Sequence, residues 1–135
     1  MELLRLSKPD RLLGGDIVLD GSKSISNRAL IVLSLAGVDP AGWLSRLSTS
    51  KDTTTLYRLL MQSGDYYDAG DAGTTFRFFT AFLSLQPGVQ VLTGSARMRE
   101  RPIGGLVEAL RGLGADAHSV EAQRRREAGE VRIQA

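Results

Sequence analysis

Hydrophobic positions along this chain follow two periods. Leu3 to Leu6 and Asp16 to Leu19 are short runs set between Gly, Pro and Asp residues, a pattern that predicts strands. After Gly21-Ser22, which supplies a turn and a cap, Leu30, Ile31 and Leu33 take helical spacing and Gly37 is a natural stop. A second helix is predicted from about Lys51 to Gln62, with Leu56, Leu59 and Leu60 on one face and Gly64 beyond its end. A third spans about Thr74 to Leu85, where Phe76, Phe79 and Leu83 share a face ahead of Pro87-Gly88. Val89 to Leu92 then reads as a strand. A fourth helix begins near Pro102, carries Ile103, Leu106, Val107 and Leu110 on one side, and stops at Gly114. Val131 to Ile133 closes the pattern as a strand. Trp43 and the set Phe76, Phe79 and Phe82 are expected in the core.

The order repeats. Arg28, its apolar helix and Gly37 recur as Arg77, another apolar helix and Gly88, and the Gly64 stop recurs as Gly114, at an offset of about 50 residues. Two copies of a strand-helix-strand-helix unit, approximately 15–70 and 71–135, predict one α/β domain over residues 1–135. Its helices are expected to pack on a mixed, mostly parallel sheet.

Composition narrows the chemistry. The chain has 135 residues, of which 42% are apolar and 24% charged, ordinary values for one folded domain. It has no cysteine, which excludes a disulfide framework and a thiolate nucleophile and leans toward the cytoplasm. One histidine, His118, is too little for a usual transition-metal site, so no metal is expected, and His118 is read as a surface or packing residue. The longest apolar stretch, Ala29 to Val38, is about half of the roughly 20 residues a membrane span needs. A soluble, cytoplasmic protein without a membrane partner is expected. The net charge of +2 is small for a nucleic-acid binder, but Lys and Arg together number 17 and only Lys8, Lys23 and Lys51 are lysines. Arginine's planar fork suits phosphate and carboxylate, so small anions are the expected ligands. The run Arg124-Arg125-Arg126, inside Glu121 to Glu130, is read as a solvated loop.

Three segments are suited to anions. In Gly21-Ser22-Lys23-Ser24-Ile25-Ser26-Asn27-Arg28 a strand hands over to a helix, whose first N–H groups carry partial positive charge beside a Lys, hydroxyls and an Arg. The spacing is not that of a Walker loop. Asp71-Ala72-Gly73-Thr74-Thr75-Phe76-Arg77 places a glycine and two hydroxyls at the next helix start, with an Arg one turn in. The third segment, Thr93 to Pro102, sets Arg97, Arg99 and Arg101 at every second position; in an extended chain Arg97 and Arg101 share a side. Read alone, each segment also fits an ordinary helix cap or charged loop. Asp52 and Glu108 are read as structural, and no general acid and base pair stands out.

Together, Gly21 to Leu30, Asp71 to Phe78 and Leu92 to Gly104 resemble, in order, three signatures of the EPSP synthase family, enzymes that move the enolpyruvyl group of phosphoenolpyruvate onto shikimate 3-phosphate in aromatic amino acid biosynthesis. The resemblance implies the enolpyruvyl transferase inside-out barrel fold, no cofactor, and substrate-binding roles for six residues. Lys23 would touch both substrates, Ser24 and Arg28 shikimate 3-phosphate, and Gly73, Thr74 and Arg97 the phosphoenolpyruvate pocket. It also implies two domains of three repeated units in a chain about three times this length. The chain then corresponds to the N-terminal portion, packs against the C-terminal part of the enzyme, and holds none of the proton-transferring residues. It is therefore expected to be inactive alone. The related transferase that acts on UDP-N-acetylglucosamine relies on a cysteine absent here. A non-catalytic anion-binding or interaction module is the alternative. Asp71 stands where the family often has Asn, and a pairing with Arg77 would offset its charge.

Overall fold

The computed structural model describes residues 5, 7–10, 12, 14–119 and 131–134. Helix α1 covers Lys23–Leu35 and is followed by a single 3-10 turn, Pro40–Gly42. Helix α2 is Lys51–Met61, strand β1 Tyr66–Asp68, helix α3 Gly73–Leu83 and strand β2 Val89–Thr93. A short helical turn α4, Ala96–Arg99, leads to α5, Gly104–Gly112, and strands β3, Asp116–Ser119, and β4, Val131–Gln134, complete the order.

The predicted helices form because their apolar faces meet one core. Leu30 of α1, Leu56 and Leu59 of α2, and Phe76, Phe79 and Leu83 of α3 are buried together against Tyr67 of β1, Leu92 of β2, Ala117 of β3 and Ile133 of β4. Tyr67 meets Phe79 edge-on with ring centroids 5.0 Å apart, and Phe82 stacks on Phe79 at 5.6 Å. The helix stops at Gly37 and Gly114 work as their positions predict. Both have positive φ, at 68° and 100°, and at each the chain folds back so that the glycine's own N–H and the next one reach carbonyls of the helix's last turn. Val38 N–H donates to Leu33 at 2.9 Å and Ala115 N–H to Leu110 at 3.0 Å.

The sheet differs from expectation. Its order is β1-β2-β4-β3, and only the β1–β2 ladder is parallel; β2–β4 and β3–β4 are antiparallel. Among the described residues the sheet is therefore mixed with antiparallel pairing dominant. The cause is that β3 and β4 follow one another as neighbours, a connection that reverses direction, whereas β1 and β2 are joined through α3. Both β1 and β3 lack a clear sequence signature, since each has three or four residues and little apolar alternation.

Three further readings are corrected. Asp16 to Leu19 is not a strand: the segment has no ladder partner among the described residues, and Ile17, Val18 and Leu19 are all more than three-quarters exposed. Trp43 is not core but 74% exposed, because it follows the 3-10 turn on the rim. The arginines near residue 99 do not lie on an extended chain, since Ser95 caps a helical turn there. The expected strand at Leu3 to Leu6 and the loop at Arg124 to Arg126 lie outside the described residues. His118 is exposed on β3 beside Asp116.

Candidate anion-binding site

The first two anion-suited segments meet at the first turn of α2, an element that carries neither of them, and the third segment is tied to the second. The start of α1 is fastened there first. Asp20 accepts hydrogen bonds from the Thr49 N–H at 2.5 Å and the Thr49 hydroxyl at 2.7 Å, and these hold its carboxyl below the ordinary range. Buried Ser26 accepts from the Ser48 N–H at 3.0 Å, and the Thr53 hydroxyl donates to the buried Asn27 side chain at 2.7 Å. Ser22 caps α1 by accepting from the Ile25 N–H.

Asp52 then joins α1 to α3. One of its oxygens lies 3.4 Å from the Lys23 ammonium, and the other accepts the Thr74 N–H at 3.1 Å. The Asp52 backbone carbonyl accepts the Thr75 hydroxyl at 2.6 Å. The structural reading of Asp52 holds, with an addition: the residue it caps and the residue it pairs with are both site candidates. Its neighbour Lys51 reaches Asp71 at 3.3 Å. Asp71 also accepts the hydroxyl of Ser95, the cap of α4, and this bond together with Lys51 and the nearby Arg97 lowers its carboxyl below the usual value. The partner of Asp71 is thus Lys51 and not Arg77, which donates instead to the Pro102 carbonyl at 2.7 Å. Arg77 is committed elsewhere because α3 turns it toward the start of α5.

The six sequence-predicted residues are divided among four places, with Thr74 shared by two of them. Lys23 and Thr74 are bridged by Asp52. Ser24 and Arg28 form one unit, in which the Arg28 guanidinium donates to the Ser24 carbonyl at 2.9 Å and to its hydroxyl, and lies 5.6 Å over the Phe78 ring of α3. Gly73 and Thr74 line a shallow cleft of about 220 Å³ with Arg77, Phe78 and Arg101. Arg97 is exposed on α4, electrostatically near Asp71. The cleft at Gly73 does not include Lys23, Ser24, Arg28 or Arg97 among its walls.

Arg101 is the contributor that sequence reasoning left out. A Cβ on Gly73 would meet its guanidinium at 2.5 Å, so glycine is what allows this cation to lie across the start of α3. The available signal was only its place in the arginine-bearing third segment, since the side it was expected to share with Arg97 presumed an extended chain and the segment contains a helical turn. Lys23, Arg28, Lys51, Arg77, Arg97 and Arg101 outnumber Asp20, Asp52 and Asp71 in this region, and two helix starts add partial positive charge. Such an arrangement attracts small dianions. Replacing Asp52 by Ala should cost about 1 kcal/mol through loss of the α3 cap, and Asn, which caps equally well, should recover most of it. Urea midpoints of the two variants measure this, and equal losses would show that the cap is not what Asp52 contributes.

A family model described as EPSP synthase (3-phosphoshikimate 1-carboxyvinyltransferase) matches residues 44–128. Curated relatives called 3-phosphoshikimate 1-carboxyvinyltransferase are similar as well. That of Bacteroides fragilis (strain YCH46) is 46% identical over 110 residues, which cover 82% of this chain and 26% of the relative. That of Photobacterium damsela subsp. piscicida is 37% identical over 147 residues, 90% of this chain and 34% of the relative. For Sulfurovum sp. (strain NBC37-1) the identity is 37% over 134 residues, 80% and 31% respectively. The chain thus spans about a quarter to a third of the length of the relatives it matches. A family match over more than half of its residues has one consequence: this chain belongs to the EPSP synthase family.

Proposed function

We propose that the chain forms one flank of a site for shikimate 3-phosphate and phosphoenolpyruvate in an enzyme that transfers the enolpyruvyl group between them. What supports this reading is that the first two segments meet at Lys51 and Asp52 in the first turn of α2, and that Ser95 ties the third segment to the second through Asp71. In the proposed division, Lys23 serves both substrates, Ser24 and Arg28 hold shikimate 3-phosphate, and Gly73, Thr74 and Arg97 hold phosphoenolpyruvate. Two phosphorylated, carboxylated molecules repel one another, and fixed positive charge is what lets them share a pocket. Residues 1–135 then act as a single domain of two units, 15–70 and 71–135, within an inside-out barrel. Cytoplasmic location fits this role, and among the described residues no helix is long and apolar enough to cross a membrane.

The longer relatives supply what this stretch lacks. Ile31, Val32 and Leu35 of α1 and Phe78, Phe82 and Leu85 beside them line an open groove of about 450 Å³, with Val32 63% and Leu85 65% exposed. Further chain of the enzyme is proposed to cover this face, a more economical arrangement than leaving it in water.

Two measurements test the reading. Backbone amide shifts of the 135-residue chain on titration with shikimate 3-phosphate should cluster at Lys23, Ser24 and Arg28, and Lys23→Ala or Arg28→Ala should reduce the response at least tenfold, the loss of a charge-assisted contact. Shifts centred on Arg124 to Arg126 instead, or unchanged affinity in both variants, would remove the assignment and favour a nonspecific anion-binding module. In a phosphate-release assay with both substrates the chain alone should show no turnover, because the proton-transferring groups are proposed to lie in the part of the relatives that it does not match. Clear turnover would show that the chemistry resides here.

A further inference from the structure

A carboxylate beside an anion pocket needs a reason. Asp71 lies two residues before the first residue of α3, and its negative charge opposes the cations that gather there. Its two oxygens are divided between different partners: Oδ1 accepts the Ser95 hydroxyl, and Oδ2 faces the Lys51 ammonium at 3.3 Å. Ser95 in turn accepts the Met98 N–H at 3.3 Å as the cap of α4, and its own N–H donates to the Gly70 carbonyl at 3.0 Å. The strap that carries Arg97 is therefore tied to the loop that opens α3 by two hydrogen bonds, one of them through Asp71. Arg97 is close enough to lower the Asp71 carboxyl yet makes no ion pair with it among the described residues. If Lys51 were absent, Arg97 would be the next cation available to that carboxylate.

We propose that Lys51, Asp71 and Ser95 form a positioning relay in which Asp71 fastens the strap beside the start of α3 and Lys51 cancels its charge. The Arg97 guanidinium is thereby left for the carboxylate or phosphate of a small dianion. This rests on the anion-site reading above and adds a residue to it, since Lys51 belongs to none of the three segments. The adjacent pair Lys51-Asp52 then has two tasks in one helical turn: Asp52 holds the Lys23 and Thr74 side of the region, and Lys51 holds the Asp71 and Arg97 side. Lys51 and Asp71 are both exposed, so their replacement leaves the core intact.

The test uses the 135-residue chain, phosphoenolpyruvate as probe and low ionic strength. Lys51→Met should raise the Kd for phosphoenolpyruvate about three- to fivefold, the scale of one surface charge a few ångströms away. Asp71→Asn keeps the acceptor for Ser95 without the charge; in that background Lys51→Met should have no further effect, and the coupling between the two should shrink as salt is added. Lys51→Met should also shift the Arg97 side-chain N–H resonance in the absence of ligand, as Asp71 captures the guanidinium. An equal loss of affinity in both backgrounds would make Lys51 an independent contributor and overturn the relay. An unchanged Arg97 resonance would overturn it too. If no chain, the wild type included, responds to phosphoenolpyruvate, the anion-site reading fails. The ligand-free Arg97 resonance then still decides the relay: a shift with Lys51→Met supports it and no shift refutes it.

Discussion

Gly21→Ala should destabilise the chain by about 2–4 kcal/mol and detach the start of α1 from the rest of the site. The added Cβ would fall inside contact distance of the Arg46 carbonyl oxygen and 2.9 Å from both the Leu47 carbonyl carbon and the Ser48 nitrogen. All three are backbone atoms, so no side-chain rotation can relieve the overlap. Either the 46–48 segment or the approach to α1 has to move. Both movements break the same fastenings: Ser48 N–H to Ser26 Oγ at 3.0 Å, and Thr49 N–H to Asp20 at 2.5 Å. Because Ser50 caps α2 immediately afterwards, Lys51 and Asp52 lose their registration against Asp71 and Lys23. Urea unfolding gives the stability change, and the shikimate 3-phosphate titration gives the site effect. Gly105→Ala is the control, since a Cβ there enters open space within α5 and should stabilise by about 0.5–1 kcal/mol. Similar small effects at both glycines would mean that the backbones at residues 21 and 46–48 are not in contact.

What could be read from the sequence depended on whether the signal was local. The helices α1, α2, α3 and α5 were legible because apolar spacing lies within one element, helped by the Ser22 and Ser50 caps of α1 and α2; the turn α4 was not, although Ser95 caps it. The anion-suited segments were legible for the same reason, as strings of Gly, hydroxyl and basic residues. The strands β1 and β3 were not, because three or four residues such as Tyr66–Asp68 carry no periodicity of their own and become strands only where a neighbouring ladder is waiting. Asp16 to Leu19 failed in the opposite direction: its composition suits a strand, but no ladder partner lies beside it among the described residues. Pair identities were the least legible. Asp71 to Lys51 spans 20 residues and Lys23 to Asp52 spans 29, and nothing in either local string announces the other. Arg77, the nearer candidate for Asp71 in sequence, lies on a helix that directs it to Pro102.

Phe79→Ala is expected to have the largest effect on stability, about 3–5 kcal/mol, against a total of roughly 5–15 kcal/mol for a domain. The ring is 1% exposed and lies where helices and sheet meet, with Tyr67 of β1 at its edge and Phe82 stacked along its face. Truncation removes the apolar area and leaves a void bounded by two aromatic rings, which lose contacts without being able to close on one another from different elements. Phe82→Ala should cost less, because Phe82 is only partly buried and the space it leaves opens toward the α1–α3 groove. The consequence extends to the site. Gly73, Thr74 and Arg77 are held by α3, and α3 is held against β1 through Phe79; a loosened helix makes the Asp52 to Thr74 bond and the approach of Arg101 to Gly73 intermittent. Phosphoenolpyruvate affinity should therefore fall in Phe79→Ala at temperatures where the chain is still folded, while Phe79→Leu, which keeps most of the volume, retains it. A variant that loses stability by the expected amount yet binds phosphoenolpyruvate as tightly as the parent would show that the start of α3 is positioned by the polar fastenings at Asp52 alone and not by the aromatic packing beneath it.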